Sequence, residues 1–231
     1  MPETKPTFSR SRLFKWVTEG EGQRLEFKLK ANHPDKITKG IAAFANTQGG
    51  FLLLGVDDHR QLKGCKNADE EEFVMLKAIH DFLQPAPTVH IHRVTVAEER
   101  EVIAFEVLEH TDKPVYWKDP LDKTGSEAKG RVYVRVADQS LQASAEMRQI
   151  LKVRSKPNAR RLHYGEKEKI LMTYLDKNPH ITLNEFMTLA GLSKKVASDT
   201  LVFLCVLHVL DILPGEQEDR FYRVAEDSDW Q

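Results

Sequence analysis

Two lysines near the start of the chain, Lys28 and Lys30, are spaced two residues apart, where they could hold an anionic ligand. Residues 24–30 alternate apolar and charged side chains, which is typical of a β-strand with one face in a core. Lys28 and Lys30 share the charged face with Glu26. Because lysine binds phosphate as a point charge, we predict that this face contacts the backbone of a nucleic acid.

Two aspartates follow a second predicted strand. Residues 51–54 are all apolar, which is typical of a central strand that is buried on both faces. Asp57 and Asp58 come at its exit, and they could converge on Glu26 if this strand pairs with residues 24–30. Two other interpretations stay open. Aspartates after a strand often form a turn, and a glutamate beside a lysine is often a solvated ion pair.

The glycines of this region do not form a nucleotide-binding loop. Gly50 and Gly55 have the spacing of a phosphate-binding P-loop. However, Val56 and Asp57 occupy the positions at which that loop requires lysine and serine or threonine, and no helix start follows. We therefore predict that the protein is not an ATPase, and that these glycines cap and bend the backbone.

A histidine pair and two cysteines are further candidates for chemistry. His90 and His92 share one face of a predicted strand as a candidate metal pair, but no third ligand is nearby, so a polar outer face is favoured. Cys65 and Cys205 are far apart and have no zinc-like spacing, which disfavours a disulfide or a structural zinc site. We expect Cys65 to be a packed residue and the protein to be cytoplasmic.

Composition and charge narrow the class of protein. The chain has 231 residues, of which 41% are hydrophobic and 30% are charged, as in globular proteins. We see no apolar signal segment at the start, and the longest apolar run, residues 201–210, is too short for a bilayer, so no membrane role is expected. Residues 1–164 carry 27 basic and 23 acidic side chains, whereas residues 165–231 carry 7 and 12. A polyanion is therefore expected to prefer the N-terminal part.

Strand and helix patterns predict two domains. Up to residue 152 the order is β-α-β-α-β-β-β-α, which indicates an α+β domain with a mixed sheet. Residues 148–164 are basic without an acid, and they are interpreted either as a basic arm or as a solvated tether. Three helices and a hairpin then predict a small, mostly helical winged-helix-like domain. The predicted limits are 1–152 for the first domain, 153–165 for the linker and 166–231 for the second domain.

The third helix of the C-terminal part combines two features. Lys194 and Lys195 lie in its first turn, where a recognition helix meets bases. Residues 201–207 are apolar all round, which indicates burial either in the domain core or against a partner subunit. The acids of the predicted hairpin have the wrong sign for a phosphate clamp. We therefore favour dimerisation or protein contact over DNA binding for this domain.

Several motifs resemble those of one family, the Schlafen AlbA-like domain family. The entry motif is Glu21-Gly22-Gln23-Arg24-Leu25-Glu26-Phe27-Lys28, and the central motif runs through residues 44–58 as FANTQGGFLLLGVDD. Residues 113–116 and 133–136 are similar to two later motifs. The resemblance covers about residues 15–150, and together with the C-terminal domain it is closest in organisation to prokaryotic members of the family.

This resemblance implies two functions. Prokaryotic members are regarded as nucleic-acid-binding and transcriptional proteins, often joined to a winged helix. Vertebrate members include ribonucleases that use three acids and a divalent metal. By motif position those acids correspond to Glu21, Glu26 and Asp58, with Asp57 as the alternate, and they would hold Mg²⁺ or Mn²⁺.

The leading hypothesis is a cytoplasmic, homo-oligomeric nucleic-acid-binding protein, acting as a DNA-binding transcriptional regulator and forming a dimer. The second hypothesis is a metal-dependent endoribonuclease that acts on structured RNA. The third hypothesis is an interaction module that dimerises through residues 201–207. The partner is DNA or RNA. The predicted contacts are Arg24, Lys28, Lys30, Arg135, Arg154, Arg160, Arg161, Lys194 and Lys195.

Overall fold

A computed structural model describes residues 8–119, 130–155 and 164–224. The chain divides into two compact units, with the boundary between Ser140 and Leu141. Each unit has its own core. No helix within the described ranges is long and apolar enough to cross a membrane.

The first unit alternates helices and strands, as the pattern predicts, and its α+β class is confirmed. The elements, in chain order, are α1 (Arg10–Glu19), β1 (Leu25–Lys28), α2 (Pro34–Asn46), β2 (Gly50–Leu54), α3 (Ala68–Phe82), β3 (Leu83–Gln84), β4 (Val89–Ala97), β5 (Arg100–Val107), β6 (Tyr116–Trp117), β7 (Arg131–Val136) and β8 (Gln139–Gln142). The short strands β3, β6 and β8 lack the length that a periodic pattern needs, and the sequence does not predict them.

A mixed sheet with the order β1-β2-β5-β4 forms the centre of this unit. The pair β1 and β2 is parallel, with Leu25 opposite Phe51, whereas β5 is antiparallel to both of its neighbours, β2 and β4. Every residue of β2 is buried, which confirms that it is a central strand. The parallel pair brings the C-terminal ends of β1 and β2 to the same edge of the sheet.

Helices cover both faces of the mixed sheet. Leu52 and Phe105 belong to the core that includes α2 and α3, and Leu53 and Ala104 belong to the core that includes α1. The amphipathic α1 begins after Ser9, whose hydroxyl accepts the N–H of Arg12 at 3.2 Å. A second sheet, with the order β3-β6-β7-β8, includes β7, which packs on α2.

The second unit contains helices followed by a hairpin. Its elements are α4 (Ala145–Arg154), α5 (Glu166–Leu175), α6 (Leu183–Ala190), α7 (Lys194–Val206), β9 (Leu210–Leu213) and β10 (Arg220–Arg223). The capping box of Thr182 and Glu185 opens α6 as predicted. The three helices and the hairpin are confirmed as elements, whereas their identity as a winged helix stays a prediction.

Helix α4 differs from the predicted domain organisation. The sequence pattern groups it with the first domain, but it packs against α7 in the second unit. Ile150 supplies the contact, because it is fully buried in the same core as Leu201 and Leu204. Most of the predicted linker, residues 156–163, lies outside the described residues. The predicted limits of the domains themselves stay predictions.

Candidate nucleic-acid interface

Glu26 lies on β1 and points toward helix α2. Its side chain is only 13% exposed. An added Cβ at Gly40 would lie 2.6 Å from Oε2 of Glu26, so that any residue larger than glycine would force the carboxylate to shift. The charged face of β1 is therefore covered at its centre, and a ligand cannot lie flat along it.

Arg135 on β7 neutralises Glu26. Its side chain is 2% exposed, and its Nη1 donates to Oε2 of Glu26 at 2.7 Å. Its Nη2 donates to the carbonyls of Gly22 and Leu25 at 3.1 and 3.2 Å, and Nη1 also donates to Oγ of Ser140 at 3.1 Å. Arg135 was a predicted contact to nucleic acid, but burial and these bonds make it a structural residue that joins β7 to the entry of β1.

Lys28 completes the group on its solvent side. Its Nζ lies 2.9 Å from Oε1 of Glu26, and its side chain is partly exposed. The group of Glu26, Arg135 and Lys28 holds one negative and two positive charges. Because the arginine is buried, the excess positive charge is presented to solvent by Lys28.

Two other predicted catalytic acids, Glu21 and Asp57, accept hydrogen bonds from the backbone. Oε1 of Glu21 accepts the N–H of Phe27 at 2.7 Å. Oδ1 of Asp57 accepts the N–H groups of Gln61 and His59 at 2.8 and 3.0 Å, so the turn interpretation of Asp57 holds. The hydrogen bond from Gln61 is the largest cause of the lowered pKa of Asp57.

The acids do not form a site for a divalent metal. In the part of the chain that the structure describes, which includes Glu21, Glu26, Asp57 and Asp58, no group of three or more His, Cys, Asp or Glu side chains could hold a metal ion. Mg²⁺ or Mn²⁺ needs several oxygen ligands around one point, and the oxygens of Glu26 already bind two cations. The residues present therefore do not fit this metal in this arrangement.

Further cations surround β1 and the start of α2. Arg24 and Lys30 are exposed on either side of the strand. Lys36 is exposed one helical turn before Gly40, on the side of α2 that faces Glu26. Lys39 lies with its Nζ 4.4 Å from the ring centroid of Trp117, in a cation–π contact. Lys36 and Lys39 were not among the predicted contacts, although their position in the first turns of a helix next to a cationic strand indicates a role of this kind.

The first part of the central motif, residues 44–50, connects α2 to the neighbouring strands. The buried amide of Asn46 donates to the carbonyls of Val115 and Tyr133 and accepts the N–H of Val115, which attaches β6 and β7 to the end of α2. A Cβ at Gly49, where φ is +69°, would lie 2.6 Å from the carbonyl oxygen of Val107. These contacts of the motif serve close packing.

The histidine pair has a third polar neighbour that the sequence did not reveal. Nε2 of His92 lies 2.8 Å from Oε2 of Glu106, and Nδ1 of His90 lies 3.7 Å from the same atom. Glu106 is the cross-strand partner of His90 on β5, and a pairing between strands cannot be read from local spacing. The ring of His92 also stacks on Phe8. This cluster is a partly exposed polar face of the sheet, not a metal site.

In the second unit, one predicted contact is bonded within the unit and two others are exposed to solvent. Arg154 donates to the carbonyl of Cys205 at 2.7 Å and lies 3.6 Å from Asp211, so its charge is partly neutralised within the unit. Lys194 and Lys195 are exposed at the start of α7. Arg160 and Arg161 lie outside the described residues.

The apolar stretch of α7 is core. Leu201, Val202, Leu204 and Cys205 are buried within the second unit, which resolves the two alternatives for residues 201–207 in favour of the domain core. The apolar stretch that suggested a dimer interface is therefore buried within a single chain. Cys65 is likewise buried, as predicted, and burial raises the pKa of its thiol to about 11.

Comparison with known proteins gives one family and two similar structures. The family model described as Schlafen, AlbA_2 matches residues 21–144. The DIP2311 protein from Corynebacterium diphtheriae is 20% identical with a TM-score of 0.38, and the match covers 60% of this chain and 30% of that one. The N-terminal domain of a RecG-related protein from Nitrosomonas europaea is 22% identical with a TM-score of 0.41, covering 68% and 99%.

Proposed function

Since the chain belongs to the Schlafen, AlbA_2 family, which is nucleic-acid-related, we propose that it binds the phosphate backbone of nucleic acid. The contact is made by the β1–α2 surface. We define this surface by the cations that surround β1 and the first turns of α2, which are Arg24, Lys28, Lys30, Lys36 and Lys39.

The charge balance of this surface carries the proposal. Residues 24–39 contain five cations and two acids, Glu26 and Asp35. The charge of Glu26 is cancelled from the inside by Arg135, which lies outside this segment. One acid therefore remains against five cations, and a net charge of this size near the surface attracts a polyanion.

The form of the surface favours phosphate contacts over base readout. Trp117 and Tyr133, the aromatic residues beside Lys39, are buried and in contact with each other, so their faces are not open to a base. Binding through lysine and arginine side chains to phosphates depends on salt and carries little sequence information.

A regulator that selects DNA sequences would need base contacts in addition. Lys194 and Lys195, exposed at the start of α7, are the residues that we propose for this role. The hairpin beside that helix carries Glu216, Glu218 and Asp219, which repel phosphate. We therefore propose that the first unit supplies most of the affinity.

A charge-reversal experiment tests the assignment of the surface. Full-length protein is titrated at low salt into a fluorescent 20-base-pair DNA duplex and, separately, an RNA duplex of the same sequence, with anisotropy as the readout. The variant Lys30→Glu/Lys36→Glu is compared with Lys169→Glu/Lys177→Glu, which places the same charge change on exposed positions of the second unit. All proteins are first checked for the same melting temperature.

We expect the first variant to bind at least about tenfold more weakly than wild type, because two phosphate contacts become repulsions. The control variant should stay within about twofold. Equal weakening by both variants would show that only the overall charge matters, and unchanged binding by the first variant would place the interface elsewhere. The ratio of DNA to RNA affinity identifies the preferred nucleic acid.

A further inference from the structure

Helix α1 carries arginines that have no acidic partner among the described residues. Its cations are Arg10, Arg12 and Lys15, and its only acid is Glu19. Lys15 and Glu19 form a loose, exposed pair at 3.7 Å, whereas neither arginine forms a salt bridge with any carboxylate of the described ranges. The charge of the two arginines is therefore available to a ligand.

A further arginine lies at the C-terminal end of α1. Arg60 is exposed, and its Nη1 donates to the carbonyl oxygen of Thr18 at 3.4 Å. In a similar way, Nη2 of Arg10 donates to the carbonyl oxygen of Val96 at 3.4 Å. Arg60, too, forms no salt bridge with a carboxylate in the part of the chain that the structure describes. Because a guanidinium has about five N–H donors, one long hydrogen bond orients each side chain and leaves most donors for a ligand.

An exposed phenylalanine lies between these two arginines. Arg10, Phe14 and Thr18 follow one another at spacings of four residues, so they share one flank of the helix. Cζ of Arg10 lies 5.6 Å from the ring centroid of Phe14, and the phenylalanine is 48% exposed. Arg10 and the carbonyl that holds Arg60 are about 12 Å apart along the helix axis, at about 1.5 Å per residue. We call Arg10, Phe14 and Arg60 the α1 flank.

The other aromatic residue of α1, Trp16, is already in contact with neighbouring side chains. Cζ of Arg12 lies 4.4 Å from its ring centroid, and the indole packs against Phe51 with the ring centroids 4.5 Å apart. Leu13 and Val17 are buried and attach α1 to the sheet, so the apolar face of the helix is not free to enter a lipid surface. Phe14 is therefore the aromatic ring of α1 that a ligand can reach.

We propose that the α1 flank binds an unpaired base of a single-stranded nucleic acid. The base stacks on the face of Phe14 that Arg10 leaves free, and Arg10 and Arg60 bind phosphates on either side of it. An aromatic ring between cations binds single strands with little regard to sequence, because every base has a π-face. The bases of a duplex are stacked on one another and cannot make this contact. The inference rests on the proposed function and adds a preference for single strands to the phosphate contacts of the β1–α2 surface.

Oligonucleotides with and without bases test the stacking contact. Full-length protein is titrated at low salt into fluorescent oligothymidylate of about 12 nucleotides, a length within the range of single-strand binding sites. A second strand of the same length consists of abasic sites, so it has the same phosphates and no base. Wild type should bind oligothymidylate at least about fivefold more tightly than the abasic strand, because only the first offers a ring to Phe14.

Substitutions of Phe14 assign this preference to the ring. Phe14→Leu should bind both strands equally, because leucine keeps an apolar side chain on the helix but has no aromatic face. Phe14→Tyr should retain the preference, since it restores a ring. Phe73→Leu, which removes a 66% exposed phenylalanine from α3, is the matched control and should behave as wild type. The variants are first checked for the same melting temperature.

A duplex titrated in parallel separates this inference from the proposed function. Duplex binding by a wild type that does not distinguish the two single strands, or that keeps its preference in Phe14→Leu, would overturn the stacking contact alone. No binding to the duplex or to either strand would overturn both proposals. Phosphatidylglycerol vesicles provide a last comparison: vesicle binding that depends on Phe14, without such a dependence for oligonucleotides, would assign α1 to a lipid surface and contradict the inference.

Discussion

At the level of single residues, Glu26 and Arg135 form an ion pair, and the other N–H groups of Arg135 donate to backbone carbonyls and to the hydroxyl of Ser140. The arginine is almost fully buried and also lies over the ring of Phe44, with its Cζ 4.9 Å from the ring centroid. A buried guanidinium is costly unless its charge and its N–H groups are all partnered. Glu26 is thus needed for Arg135 to be inside the protein.

Replacing this acid tests its structural role. We expect Glu26→Gln to lower the free energy of unfolding by about 3 kcal/mol, because Arg135 loses its counterion while remaining buried. Urea unfolding followed by tryptophan fluorescence measures this, since Trp16 and Trp117 both lie in the first unit. Glu98→Gln, at an exposed position, is the matched control and should change stability by less than about 0.5 kcal/mol. Equal stability of the two variants would contradict the account.

The same ion pair leads to a prediction about metal-dependent cleavage. Because the oxygens of Glu26 are bound by Arg135 and Lys28, we expect tRNA to stay intact during incubation with the protein and Mn²⁺ or Mg²⁺. Gel electrophoresis provides the measurement. Cleavage that requires Mn²⁺ and disappears in Glu26→Gln would show that the carboxylate leaves its partners and acts in catalysis.

The two thiols give a prediction about pH and reactivity. Burial raises the pKa of Cys65 to about 11 and that of Cys205 to about 12. At pH 8 both thiols are therefore protonated, and Ellman's reagent should react with them only after denaturation. Above the ordinary pKa of 9.0, the Cys65 thiol ionises in the unfolded chain but not yet in the folded chain. Its ionisation therefore lowers the free energy of unfolding as the pH rises toward 11. Rapid reaction in the native state would contradict the burial of both thiols.

At the level of elements, the central motif connects the end of α2 to the second sheet. Asn46 satisfies three backbone groups of β7 and the segment that leads into β6. We expect Asn46→Ala to destabilise the first unit by about 1–3 kcal/mol, because these buried groups lose their partners. Hydrogen–deuterium exchange should increase at residues 115–117 and 131–135, whereas Gln48→Ala, at an exposed position, should leave it unchanged. Unchanged exchange in Asn46→Ala would show that the sheet is held by other contacts.

The elements also show what a single sequence can predict. Alternation at residues 24–30 and the unbroken apolar run at 51–54 depend only on local environment, and both strands are where they were expected. The partner of Glu26 is Arg135, which is 109 residues away, and no local pattern reveals that contact. The same limit applies to Glu106 beside His90 and His92. A charged residue on a strand can thus be placed on a face from the sequence, but whether that face is covered depends on long-range packing.

At the level of the whole molecule, the distribution of charge separates the two parts of the chain. The net charge of the protein is −1, yet residues 1–164 have an excess of basic side chains and residues 165–231 an excess of acidic ones. Arg135 strengthens this asymmetry at the β1–α2 surface, because it cancels an acid there from within the fold. The excess over residues 1–164 comes from residues 141–164, with six basic side chains and one acidic, because residues 1–140 carry 21 and 22. An anionic polymer is therefore drawn to the first unit by the local charge of the β1–α2 surface, not by the charge of the unit as a whole.

The salt dependence of binding tests this account most directly. Wild-type protein is titrated into a fluorescent duplex at several salt concentrations, and the logarithm of the association constant is plotted against the logarithm of the salt concentration. If three or four of the cations of the β1–α2 surface contact phosphates, the slope should be about −3 to −4, since each contact releases counterions. Absence of binding to both DNA and RNA at the lowest salt concentration, or binding with a slope near zero, would contradict the claim that this surface binds the nucleic-acid backbone.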